Sequence, residues 1–79
     1  MASLAHKPRI TVSEAALLRR NGMADIACTI VDVSSEGFRL SVPRGVPCAC
    51  DYRLSFGSED HRVAIRWASL GEAGGMFLD

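Results

Sequence analysis

The residues whose types and spacing best suggest chemistry lie in one short stretch, Asp32-Val33-Ser34-Ser35-Glu36-Gly37-Phe38. Asp32 and Ser34 offer a carboxylate and a hydroxyl two residues apart, and Gly37 tolerates a positive φ. Two readings are open. Asp and Ser side chains hydrogen-bond neighbouring backbone amides in tight turns, so turn chemistry alone accounts for all three residues. Alternatively, Asp32 and Ser34 present oxygen acceptors to a ligand at the rim of the fold.

Other reactive side chains offer less. The cysteines are Cys28, Cys48 and Cys50. An odd number without an export signal points to reduced thiols rather than a disulfide framework. Cys28 falls on an apolar strand face and reads as a small buried hydrophobe. Cys48-Ala49-Cys50 could hold a soft metal, but only His6 and His61 remain to complete a four-ligand zinc site, so no metal is expected. No base or orienting group accompanies any cysteine, and no nucleophile–base–orienter set can be assembled, so neither an enzyme nor a cofactor is expected.

The elements that must position these residues are strands. Ile26, Cys28 and Ile30 alternate with Ala27, Thr29, Val31 and Val33 before the turn, and Phe38, Leu40 and Val42 alternate with Arg39 and Ser41 after it. Upstream, Ile10-Thr11-Val12 is extended. Ser13 to Arg20 carries helix chemistry (Ser13 as cap, Glu14 in the first turn, Arg19 and Arg20 at the end), yet Asn21-Gly22 signals a two-residue hairpin. A two-turn helix has little stability of its own, and the all-β remainder needs a neighbour, so a strand is expected here. The following strand is expected from Met23 or Ala24 to Val33. Downstream, Pro43 to Pro47 is a loop, and Tyr52, Leu54 and Phe56 mark a strand. Gly57 to Asp60 is a hairpin connection. His61 to Ala68 is a strand with Val63, Ile65 and Trp67 on its core face, Leu70 to Gly74 a loop, and Gly75 to Leu78 a last strand. About six short strands without a helix predict a small six-stranded antiparallel β-barrel over residues 10–79, preceded by a flexible arm at residues 1–9.

The 79 residues suffice for one domain near the lower limit of a self-sufficient core. A zero formal net charge argues against general nucleic-acid binding, although a local basic patch remains compatible with it. No apolar run is long enough to span a membrane, and Met1 to Arg9 lacks the apolar segment of a signal peptide. A cytoplasmic location is therefore the default expectation. Small barrels with exposed edges often pair, so a homodimer is compatible with the sequence.

The order of features resembles the PilZ domain family, bacterial receptor modules for cyclic di-GMP. The family carries [D/N]-x-S-x-x-G, matched by Asp32, Ser34 and Gly37, on a six-stranded barrel whose last strands tend to end in Trp and G-x-F. Trp67 and Gly75-Met76-Phe77 are similar to that ending, and the likeness spans Pro8 to Asp79. The family's other motif, R-x-x-x-R in an N-terminal arm, is incomplete. Arg9 follows Pro8 as the family's second arginine often does, but Ala5 stands four places earlier, and Arg19 and Arg20 are adjacent rather than spaced. The resemblance implies that Arg9, Asp32, Ser34 and Gly37 form the ligand site. Arg9 would clamp the nucleotide, Asp32 and Ser34 would meet guanine edges, and Gly37 would permit close backbone approach. A guanidinium suits this ligand because its fork pairs with phosphate while its face stacks on a base. Losing one such contact costs about 1.5–3 kcal/mol, or roughly one to two decades of affinity. His6 and Lys7 compensate only in part, because Lys lacks the fork and His is mostly neutral near neutral pH. Arg39 and Arg66 read as outward-facing, solubilising residues. The implied function is a receptor or adaptor that binds cyclic di-GMP and relays it to a protein partner. The alternative is a degenerate barrel that acts by protein contacts alone.

Overall fold

The computed structural model describes residues 10–79. The expected arm, with Ala5, His6, Lys7 and Arg9, lies outside the described residues. Six strands account for the rest: β1 (Ile10–Arg20), β2 (Ile26–Val33), β3 (Gly37–Ser41), β4 (Ala49–Phe56), β5 (Glu59–Ser69) and β6 (Glu72–Phe77). They close into a barrel in the order β1-β2-β3-β6-β5-β4, antiparallel throughout, with β4 returning to pair with β1. The expected all-β barrel is thus the fold. It consists of two three-stranded meanders, β1–β2–β3 and β4–β5–β6, joined by the loop at residues 42–48. Two seams close it, β3 on β6 and β1 on β4.

The segment with helix chemistry is strand. Ala16 and Leu18 point into the barrel opposite Cys28 and Ile26, while Ala15, Leu17 and Arg19 face out. β1 has a neighbour on each side, so its backbone groups pair in two directions. That tertiary pairing overrides a local preference worth only tenths of a kcal/mol per residue.

Turns fall differently from expectation in three places. Met23 donates its N–H to Arg20 O at 3.1 Å, and Gly22 has φ 83°. The chain needs the rest of residues 21–25 before β2 begins, at Ile26 rather than at Met23 or Ala24. The Asn-Gly pair therefore makes a local turn of the kind with a positive φ at its third residue only, inside a longer connection. Gly57-Ser58 alone joins β4 to β5, with Gly57 at φ 58°, so Glu59 and Asp60 belong to the strand. Leu70-Gly71 alone joins β5 to β6, so Gly74 lies inside a strand where a loop was expected.

Inside the barrel Leu18, Leu40, Tyr52, Leu54, Val63 and Ile65 are almost fully enclosed, and Phe38, Ile26, Ile30 and Ala73 complete the layer. Val42 and Val46 from the inter-meander loop are buried against it. Each large apolar side chain so enclosed contributes about 1.5–3 kcal/mol. Tyr52 is only 1% exposed and resolves its polar end by donating its hydroxyl to Pro47 O at 2.8 Å.

Trp67 is not part of this core. The register of β5 on β6 shifts between Ile65 and Trp67, so one extra residue breaks the alternation and turns the indole outward, where it is 44% exposed. It lies over Gly74, where a Cβ would collide with the ring.

Two other glycines set how closely the strands approach. A Cβ on Gly37 would run into the carbonyl oxygen of Gly75, and one on Gly75 into that of Ala64. Gly37→Ala or Gly75→Ala should each lower stability by about 1–3 kcal/mol, as overpacking against backbone does. Thermal unfolding should register about 4–8 °C for each kcal/mol. Gly45, whose added Cβ meets nothing within 4 Å, is the control. Gly45→Ala should stay within about 0.5 kcal/mol of the parent.

Candidate functional site

The stretch from Asp32 to Gly37 closes the β2–β3 hairpin, and its residues hold the turn in distinct ways. Ser34 N–H donates to Gly37 O at 2.8 Å. The Ser34 hydroxyl oxygen accepts from the N–H groups of Glu36 and Gly37 at 3.4 and 3.3 Å, and its own proton faces Gly37 O at 3.5 Å. This is the self-capping geometry that favours Ser in turns. Gly37 is not at positive φ. Its requirement comes from the β3–β6 approach, so the positive-φ reading is replaced by a steric one.

Asp32 does not stand open at the rim. The register of β2 on β3 shifts between Ile30 and Asp32, and the Asp32 side chain ends up 6% exposed beneath Arg39. Arg39 Nε lies 3.0 Å from Asp32 Oδ2, and its Nη1 lies 3.9 Å from Glu72 Oε2 on β6. The Nε–Oδ2 approach lacks hydrogen-bond alignment, and Nε is otherwise enclosed. Arg39, expected as a solubilising residue, instead ties β2 to β3 and reaches β6. Asp32→Ala should therefore destabilise the fold. The cost is about 1–3 kcal/mol, below that of a fully buried pair because Arg39 is 43% exposed and keeps Glu72. Urea unfolding of the variant against the parent measures it.

Beside the turn lies an open hollow of about 530 Å³, walled by Ser34 to Gly37 on one side and by Arg66, Trp67, Met76 and Asp79 on the other. Arg66 Nη1 sits 3.2 Å from Met76 Sδ, which holds the guanidinium over the β5–β6 face. A flat indole, two guanidiniums (Arg39 and Arg66) and the rim of a polar turn thus share one concavity. That set can stack on a planar ring and pair with an anion at the same time. Of the four residues expected to bind ligand, Ser34 and Gly37 line the hollow, Asp32 lies beneath Arg39, and Arg9 lies outside the described residues. Ile10 pairs with Val33, so the chain enters β1 beside this rim. The sequence reading missed Trp67. The available signal was Gly74-Gly75, which leaves the neighbouring strand without side chains where an indole needs room.

The cysteines stay apart from the hollow. Cys28 is buried with its Sγ 3.6 Å from Ala16 O, and desolvation pushes its thiol up to about 11, where it is inert. Cys48 and Cys50 are exposed free thiols. Among the described residues, no three His, Cys, Asp or Glu side chains are grouped to hold a metal, and no helix is long and apolar enough to cross a membrane.

The last described residue is tied down next to the hollow. His61 Nε2 lies 2.7 Å from Glu59 Oε1, and its Nδ1 lies 3.1 Å from Asp79 Oδ1, while Asp79 Oδ2 accepts from the Arg62 N–H at 3.0 Å. The ring stacks on Phe56 and meets the edge of Phe77. Glu59 first, then Asp79, raises the His61 pKa above its ordinary 6.5. The Arg62 amide first, then His61, lowers that of Asp79 from 3.8. His61 stabilisation is complete below 6.5 and fades as pH rises through the raised value, whereas that of Asp79 is complete above 3.8 and fades as pH falls through the lowered value. The thermal midpoint should accordingly fall between pH 6 and pH 8. His61→Asn should flatten that dependence, and an NMR titration of the His61 ring should give a midpoint above 6.5.

The fold and its features define a small closed β-barrel with a mixed aromatic and cationic concavity at one seam. The sequence matches no protein-family model and no curated protein.

Proposed function

We propose that the chain is a small receptor or adaptor module of PilZ type that takes cyclic di-GMP in the hollow beside the Asp32–Gly37 turn. The observation that carries this reading is the meeting of the D-x-S-x-x-G turn with an outward-facing Trp67 and two guanidiniums in one concavity. A guanine would stack on the indole, with Arg66 or Arg39 at a phosphate. Arg9, which precedes Ile10 in the sequence, would add a further cation. Ser34 and Gly37 shape the wall, and Asp32 acts through Arg39 rather than by touching a base. A ligand that joins the β2–β3 turn to β5 and β6 would present partner proteins with a surface different from the empty one.

The second reading, a barrel that has lost the nucleotide and works by protein contacts, draws on Ala5 and on the ion pair that covers Asp32. Calorimetric titration of cyclic di-GMP into the native chain and into Ala5→Arg separates the two. Under the first reading the native chain binds at tens of micromolar or tighter and Ala5→Arg gains about one to two decades. Trp67→Ala should remove a stacking contact of about 1–3 kcal/mol, roughly five- to 150-fold in affinity. If neither the native chain nor Ala5→Arg binds, the receptor reading fails.

A further inference from the structure

On the opposite seam, three arginines stand in one row across three adjacent strands. Arg19 on β1 is registered opposite Arg53 on β4, and Arg53 opposite Arg62 on β5. All three face outward. Neighbouring strands lie about 4.8 Å apart, so the row extends roughly 10 Å. Like charges directly opposite each other destabilise a sheet, which makes a purely structural origin unfavourable. Arg20 turns over the end of the row, 2.9 Å from Asp51 and with its guanidinium 5.2 Å from the centre of the Tyr52 ring. The row lines a groove of about 610 Å³, closed at one end by the Asn21-Gly22 turn.

Resident carboxylates only partly neutralise this row. Asp25 lies 3.6 Å from Arg19 and Asp60 lies 3.0 Å from Arg53. The Arg62 guanidinium has no ion pair among the described residues. A ligand entering the groove has to compete with these carboxylates. Another monoanionic carboxylate has no advantage over them, but a multiply charged phosphate does, and guanidinium forks match its oxygens. Among the described residues no exposed aromatic ring lines the groove, since Tyr52 is buried and Trp67 belongs to the other seam. Base stacking, on which single-stranded nucleic-acid binding relies, is thus missing.

We propose that this groove is a second binding site, selective for a short chain of linked phosphates, either inorganic or the tail of a nucleoside polyphosphate. Arg62 makes the first contact as the unpaired cation, and Arg53 and Arg19 exchange their carboxylates for successive phosphates. The site is separate from the Trp67 hollow and does not depend on what that hollow binds.

Amide NMR titration of the full chain with sodium tripolyphosphate, GTP, orthophosphate and a short oligothymidylate, at matched ionic strength, tests this. The expected result is saturable shifts at Gly22, Arg53 and Arg62 with tripolyphosphate and GTP, at least tenfold tighter than with orthophosphate. Equal affinities assign recognition to the phosphates alone, whereas tighter GTP binding assigns the nucleoside form as the source. In Arg53→Gln/Arg62→Gln, whose dispersed spectrum also reports folding, binding should weaken at least tenfold, and Arg62→Lys should retain part of it. Shifts confined to the Ser34–Gly37 hollow, or affinity unchanged in the double variant, would overturn the proposal. So would oligothymidylate binding more tightly than tripolyphosphate, which would make the groove a nucleic-acid surface.

Discussion

Close backbone contact at the β3–β6–β5 junction is the constraint on which the rest of this barrel depends. Gly37 faces the Gly75 carbonyl and Gly75 faces that of Ala64, at separations no side chain could occupy. With that approach secured, Phe38 reaches Phe77 across the seam, with ring centroids 5.2 Å apart. Phe77 N–H can then donate to Glu36 O at 3.0 Å and so fasten the β2–β3 turn to the last strand. The same scarcity of side chains leaves the room above Gly74 that the indole of Trp67 occupies. A packing requirement of the interior thereby creates the aromatic surface outside.

Register shifts decide which side chains reach solvent. Each of the pairs β1–β2, β2–β3, β4–β5 and β5–β6 contains one. A bulge reverses the facing of the residues after it and adds curvature, which a six-stranded barrel needs in order to close. Trp67 goes out for this reason, whereas Asp32 keeps the parity of Ile26, Cys28 and Ile30 along β2 and is buried as they are. The polar residue with a ligand-facing pattern is a buried partner for Arg39, and the aromatic with a core-facing pattern is the exposed platform.

The legible part of this fold is the part that period-two alternation can encode. Ile26, Cys28 and Ile30, or Tyr52 and Leu54, announce both strand and facing, and the glycine-containing connections place the hairpins within a few residues. At Ser13 to Arg20 the alternation of Ala16 and Leu18 competes with helix-capping signals, and the β-rich surroundings point to strand. The bulge in β5 leaves Trp67 on the sequence parity of Val63 and Ile65, so alternation misreads its facing, and only the side-chain-free Gly74-Gly75 opposite it hints at the outward indole. The arginine row was not legible, because Arg19, Arg53 and Arg62 become neighbours only through strand pairings set elsewhere in the fold. The Ser34 turn was legible as local chemistry because the hydrogen bonds of Ser34 itself lie within the turn.

The two-meander construction has a consequence for how the molecule assembles. Hairpin pairings within each meander join residues near in sequence, whereas both seams unite distant ones, the slower kind of contact to form. The Trp67 hollow draws on β3, β5 and β6, and the arginine groove on β1, β4 and β5, so neither exists in an isolated half. An occupant of either concavity therefore acts as a staple between halves. It stabilises the closed form over any state in which that seam has parted, and slows the opening of the barrel from that side.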